Sequence, residues 1–176
     1  ELKGRSLIGD DRGSKVDEVF RAVDPRTGDE IEPAFYAADT TELDRAATLA
    51  AEARLEYAKT SREKKAAFLR AAADNIEALG NTLVERASLE TALSPERIVS
   101  ERTRTCFQLR MFADLIGEGS WVGARIDRPQ KERKPVPKPD LRSMRIPIGP
   151  VAVFCASNFP LAYSVAGGDT ASALAA

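Results

Sequence analysis

The sequence predicts an α/β protein in three parts, and three observations carry that prediction. Four stretches between Asp39 and Gly119 place apolar residues at helical spacing. A basic, proline-rich segment follows, flanked by extended stretches, and the last residues read as a strand, a tight turn and a helix. The parts run over residues 1–120, 121–148 and 149–176: a helical layer, a hairpin arm, and the first strand and helix of a doubly wound sheet. The 176 residues suffice for a core of their own, at about 100–200 residues per domain.

Residues 6–36 alternate short strands and turns. Val19-Phe20-Arg21-Ala22-Val23 is β-prone, and Asp24-Pro25-Arg26-Thr27-Gly28 is a turn that lets Ile31 to Tyr36 pair back. Asp39 and Glu42 then stand at capping-box spacing before a helix whose inner face is Leu43, Ala46, Ala50, Ala53 and Tyr57. Thr60 and Glu63 repeat that spacing, with Phe68, Ala72, Ile76 and Leu79 as the next stripe and Gly80 as its stop. A third helix covers Thr82 to Leu93. Ser94-Pro95-Glu96 opens a fourth, with serine as cap and proline at the first position. Its inner face is Ile98, Arg102, Thr105, Leu109, Phe112 and Ile116, closed by Gly117 and Gly119. All four stripes read as core packing, and Cys106, within a turn of the last face, reads as a buried structural thiol.

Trp121 to Ile126 and Leu141 to Ile148 read as extended. From Arg128 to Arg145 seven basic residues face two acidic ones, with Pro135, Pro137 and Pro139 interleaved. Without aromatic platforms or a recognition helix this is a solvated hairpin arm rather than a nucleic-acid site. Val151 to Ala156 is a continuous apolar run, as expected of a parallel strand covered on both faces. Ser157-Asn158-Phe159-Pro160 turns it into a helix-compatible stretch, Leu161 to Ala176, which carries no stop signal and reads as the middle of a helix. Gly167-Gly168 lacks the ending of a phosphate loop and falls after the expected helix start, so close packing of helix on sheet is its reading.

Composition narrows the chemistry. A net charge of −1 favours neither nucleic acid nor an anionic membrane. No apolar run approaches the ~18–20 residues that span a bilayer, and Glu1 to Arg5 lack a secretory core. With two cysteines far apart, a reducing cytoplasm is the expected setting. The absence of histidine removes the commonest general base and metal ligand, so no metal is expected. Cys155, in an apolar strand without a base, is no nucleophile. Asn158 lies at the carboxyl end of the expected strand, where α/β sheets bind ligands. A carboxamide there either donates to an oxygen that becomes anionic or caps the following helix, and spacing alone favours the cap.

Ile148-Gly149-Pro150-Val151 followed by Ser157-Asn158-Phe159-Pro160-Leu161 resembles the aldehyde dehydrogenase superfamily. Upstream, Asp44-Arg45-Ala46, the Arg62 to Leu69 helix, Glu90-Thr91 and the long helix to Ile116 agree with its N-terminal helical layer, so the resemblance runs from about Ile8 onward. Ala156 to Ala162, Val165 to Ala176 and Pro137 to Met144 are similar to the branch that oxidises the semialdehyde of α-ketoglutarate (2,5-dioxovalerate). Cys155 stands where that branch usually carries glycine.

The resemblance implies an NADP- or NAD-dependent oxidation of an aldehyde to a carboxylic acid through a cysteine thiohemiacetal, with 149–176 opening a Rossmann-like cofactor-binding core. Asn158 would be the oxyanion donor, which reverses the weighting from spacing. Phe154, Cys155, Ala156 and Ser157 would pass the nicotinamide ribose, mostly through backbone. Phe159, Ala162, Tyr163 and Ala166 would line the aldehyde tunnel on a helix face. Residues 121–127 and 139–148 would join subunits into a homo-oligomer, a dimer or tetramer. The nucleophile, the general-base glutamate and the cofactor lysine would lie beyond Ala176, leaving this stretch inactive alone. The contrasting expectation is a non-catalytic helical domain that docks a partner through its basic hairpin.

Overall fold

The structure, a computed structural model, describes residues 2–14 and 18–176. Glu1 and residues 15–17, within the stretch read as strands and turns, lie outside the described residues. Two antiparallel ribbons begin the chain: β1 (Leu7–Ile8) pairs with β2 (Asp11–Arg12), and β3 (Val19–Val23) with β4 (Glu30–Tyr36). The expected turn joins the second pair. Asp24 accepts at its carbonyl from Gly28 N–H (2.8 Å) and at its carboxylate from Arg26 N–H (2.9 Å). Across the ribbon Phe20 stacks on Phe35 with ring centroids 5.7 Å apart.

The helices start and stop close to their sequence signals. Asp39 caps α1 (Thr40–Lys59), accepting from Glu42 N–H at 2.8 Å. The cap of α2 (Arg62–Ala78) is Ser61 rather than Thr60. Thr60 instead ends α1, its N–H bonded to Tyr57 O and its hydroxyl to Glu56 O, so the first helix holds that residue. The third helix, α3, spans Gly80–Thr91, two residues earlier than expected at both ends. Its stop is Ala92, held in the left-handed region (φ 57°) while the Thr91 hydroxyl donates to Ala87 O and accepts from Leu93 N–H. Ser94 caps α4 (Pro95–Glu118), which Gly119 closes at φ 82°; Gly117 stays inside the helix.

The core forms where α2 crosses α4. Ala66, Leu69 and Ala73 face Cys106, Leu109, Ala113 and Ile116, and a smaller cluster joins Val84 and Ala87 of α3 to Ile98. This corrects the expected α2 stripe: Phe68 and Leu79 are exposed and only Ala72 and Ile76 contribute from its flank. An alanine-lined face lets the two axes approach closely, which the phenylalanine face would prevent. Cys106 is buried as expected, its thiol 3.5 Å from Ala73 O and pushed to a raised pKa by burial. The α1 stripe is a second correction, because no residue of that helix is fully buried and Leu43, Ala50 and Ala53 are exposed. Tyr57 is its main tie, donating to Leu174 O at 2.7 Å beneath the Lys65 ammonium. Ala50 and Ala53 instead line a cavity of about 330 Å³ shared with Val151, Val153 and Leu174.

The hairpin arm is present but shorter than its extended flanks implied. Ser120–Val122 is a 3-10 turn, and the ribbon consists of β5 (Arg125–Asp127) and β6 (Leu141–Ser143) with a further bridge between Gln130 and Lys138. Beyond it the chain departs most from expectation. Val151 to Ala156 forms no strand, and only Gly168–Ala175 of the stretch after it is helical, as α5. A strand borrows its hydrogen bonds from neighbours, and no other strand among the described residues lies beside this run. Helix α5 packs its Ala171 and Ala175 into the α2–α4 core. Gly167 and Gly168 thus open α5 rather than falling inside it. A Cβ at Gly167 would stand 2.5 Å from Ala162 O and one at Gly168 2.7 Å from the Gln108 side chain, so the pair packs against its own preceding turn and α4, not a sheet.

Candidate functional site

Ser157 to Gly167 is a run of tight turns. Ala156 N–H donates to Tyr163 O (3.1 Å), Tyr163 N–H to Phe159 O (3.1 Å) and Gly168 N–H to Ala162 O (3.1 Å). These bonds fold the segment back on itself and bring Phe159 against Tyr163, edge to face with centroids 5.6 Å apart. Ala162 is fully buried, and Ala166 half-buried. The four residues expected on a helix face therefore share a knot of turns instead, because Pro160 and the glycine pair delay the helix.

Asn158 sits at the exposed start of this knot, and its carboxamide makes no hydrogen bond among the described residues. It caps nothing: α5 begins at Gly168, with Gly167 in the cap position. Both amide donors are free, three residues before a backbone that is held.

The hold comes from α4, through a residue the sequence reading missed. Glu101 is only 4% exposed. One carboxylate oxygen accepts from Leu161 N–H (3.1 Å) and Ala162 N–H (3.5 Å), and the other from Arg97 Nε (2.9 Å). Two backbone donors of the turn thus find an anion where no helix or strand satisfies them. The signal was legible: Glu101 follows Ile98 by three and precedes Thr105 by four, on the apolar face of α4. Arg97 and Arg104 then cover the aromatic pair. Their guanidinium carbons lie 5.0 and 5.7 Å from the Phe159 centroid, and Arg104 also donates to the Tyr163 hydroxyl at 3.0 Å.

Phe154, Cys155, Ala156 and Ser157 are exposed. From Val151 to Cys155 the backbone makes no hydrogen bond among the described residues. Val151 to Phe154 face Asp169, Ser172 and Ala173 across an open cavity of about 520 Å³.

Residues 12–176 match the aldehyde dehydrogenase family, and the chain belongs to it. It is 48% identical over 177 residues to the alpha-ketoglutaric semialdehyde dehydrogenase 2 of Azospirillum brasilense, covering 100% of this chain and 34% of that protein. It is 51% identical over 142 residues to the alpha-ketoglutaric semialdehyde dehydrogenase of Acinetobacter baylyi, covering 81% of this chain and 27% of that protein. The chain thus spans about a third of the length of the curated relatives it matches. Among solved structures, HpcC from Thermus thermophilus superposes with a TM-score of 0.75 at 24% identity, over 90% of this chain and 28% of that one. A 3,6-anhydro-L-galactose dehydrogenase superposes with a TM-score of 0.75 at 21% identity, over 89% and 31%. Those two likenesses establish the shared fold.

Proposed function

We propose that the whole protein oxidises an aldehyde to its carboxylic acid with NADP or NAD, and that the aldehyde is the semialdehyde of α-ketoglutarate, yielding 2-oxoglutarate. The observation that carries this reading is the free carboxamide of Asn158 on a turn pinned by Glu101. A fixed, non-titrating donor suits an oxygen that gains negative charge only in the transition state. Here that oxygen is the aldehyde's, as a cysteine thiolate elsewhere in the protein adds to its carbon. Phe159 and Tyr163 supply the apolar wall beside it. The names of the relatives at 48% and 51% identity support the choice of substrate.

The exposed backbone of Phe154 to Ser157, of which only the Ala156 N–H is engaged, by Tyr163 O, would hold the nicotinamide cofactor, which supplies the hydride acceptor. No nucleophile stands ready within these residues: Cys106 is buried against Ala73 O, and Cys155 is exposed without a hydrogen-bonding partner. In the arm, Ile126, Leu141, Met144 and Ile146 are exposed, a surface that suits subunit contact in a cytoplasmic homo-oligomer. No helix among the described residues is long and apolar enough to cross a membrane.

Steady-state oxidation of α-ketoglutarate semialdehyde, succinic semialdehyde and pentanal, each with NAD and with NADP, tests the proposal. The 2-oxo compound is expected to give the highest kcat/KM. A wide margin for either of the others contradicts the substrate assignment, and oxidation of none contradicts the enzyme.

A further inference from the structure

The knot of turns around Asn158 carries no charge of its own, since Ser157 to Gly168 contains no ionisable acid or base other than the Tyr163 phenol. Its charges come from α4. Arg97 is neutralised by Glu101, whose carboxylate it meets at 2.9 Å. Arg104 has no such partner: it forms no ion pair among the described residues, and its hydrogen bond goes to the neutral Tyr163 hydroxyl. One guanidinium charge is therefore left uncompensated, and it is held in place. The Tyr163 ring lies 5.3 Å and the Phe159 ring 5.7 Å from its guanidinium carbon, and the hydroxyl fixes one of its nitrogens. Arginine carries five N–H donors in a planar fork that matches a carboxylate. Only one of them is engaged by Tyr163 here, and Arg104 is solvent-exposed.

We propose that Arg104, oriented by Tyr163 and Phe159, binds the carboxylate at the far end of the aldehyde substrate and so selects an acid semialdehyde over an uncharged aldehyde. The inference rests on the proposed aldehyde oxidation at Asn158 and assigns the residue that reads the substrate's tail. The aromatic pair links the two groups. Phe159 is the neighbour of Asn158 in the chain, and its ring, together with that of Tyr163, carries the Arg104 guanidinium. An aldehyde oxygen at Asn158 and an anion at Arg104 would be two ends of one small molecule lying across Phe159 and Tyr163. The choice between acid and neutral tail follows from charge alone. A carboxylate gains a charge-assisted fork at Arg104, whereas an alkyl tail strips water from a guanidinium and returns nothing.

The test measures kcat/KM for α-ketoglutarate semialdehyde and for pentanal, a neutral aldehyde of the same chain length, in the whole protein and in Arg104→Gln, Arg104→Lys and Tyr163→Phe. The ratio of the two values within each variant is the readout, so a general loss of folded enzyme cancels. In Arg104→Gln the ratio should fall about ten- to a hundredfold, as expected for loss of a hydrogen-bonded charge contact. The fall should come from KM for the acid rather than kcat. Arg104→Lys should recover part of the ratio, and Tyr163→Phe should lower it less than Arg104→Gln. A ratio that stays within twofold of wild type in Arg104→Gln, or equal losses for both aldehydes, overturns the assignment to Arg104 while leaving the dehydrogenase reading intact. Wild type that oxidises neither aldehyde overturns both.

Discussion

Residues 62–118 and residues 146–167 are both well supplied with apolar side chains, yet the first region buries a core of them and the second buries only Ala162. Leu69 and Ile98 are 0% exposed, whereas Ile148 is 93% and Phe154 90% exposed. The difference lies in where each backbone finds its hydrogen bonds. A helix closes its own, so α2 and α4 need only caps, small residues and each other. A strand depends on neighbours for every N–H and C=O, and Val151 to Cys155 has none beside it. The turn after it is ordered differently again, by backbone bonds of its own and by a carboxylate reaching over from the helical region. Glu101 is where one region fixes the other.

The sharpest way to break this contrast is to truncate one side chain in each region. Leu69→Ala should destabilise the fold by about 2–5 kcal/mol in urea unfolding, through lost burial and a residual cavity. In the 176-residue chain by itself, Phe154→Ser should shift it by no more than about 0.5 kcal/mol. Comparable losses would mean that the exposed run carries core energy after all. Next in size is the bridge between the regions. Glu101→Ala leaves the Leu161 and Ala162 amides without an acceptor and should cost about 1–3 kcal/mol. Amide exchange should accelerate at those two positions more than in α2, and uniform acceleration would show that Glu101 supports the helix rather than the turn. The gentlest probe perturbs nothing: thiol alkylation of the folded 176-residue chain should modify Cys155 quickly and Cys106 only on unfolding. Burial raises the Cys106 pKa and so further suppresses its reactive thiolate. Equal rates at the two cysteines would contradict the difference in burial.

Much of this was legible in the residues. Asp39, Ser94, Pro95 and Gly80 marked helix ends because a cap acts within one turn of its own position. The β3–β4 ribbon followed from the Asp24 to Gly28 turn in the same way. The α2 face was not legible, since Phe68-Ala72-Ile76 and Ala66-Leu69-Ala73 are adjacent stripes and the choice is made by the close approach of α4. The turns from Phe159 to Gly167 read as helix because periodicity carries no record of the Gly167 contact with Ala162 O. At the candidate site, motif resemblance found Asn158. It passed over Glu101 and Arg104, which lie some sixty residues earlier in sequence and reach the turn only through the tertiary fold.

Asn158→Ala in the whole protein is the most direct measurement, with kcat and the thermal midpoint recorded on the same preparation. The side chain makes no hydrogen bond among the described residues, so the midpoint should move little, while kcat should fall about a hundred- to a thousandfold, as for removal of one oxyanion donor. Activity retained within a few-fold, or a loss of activity matched by a loss of stability, would contradict the role assigned to Asn158.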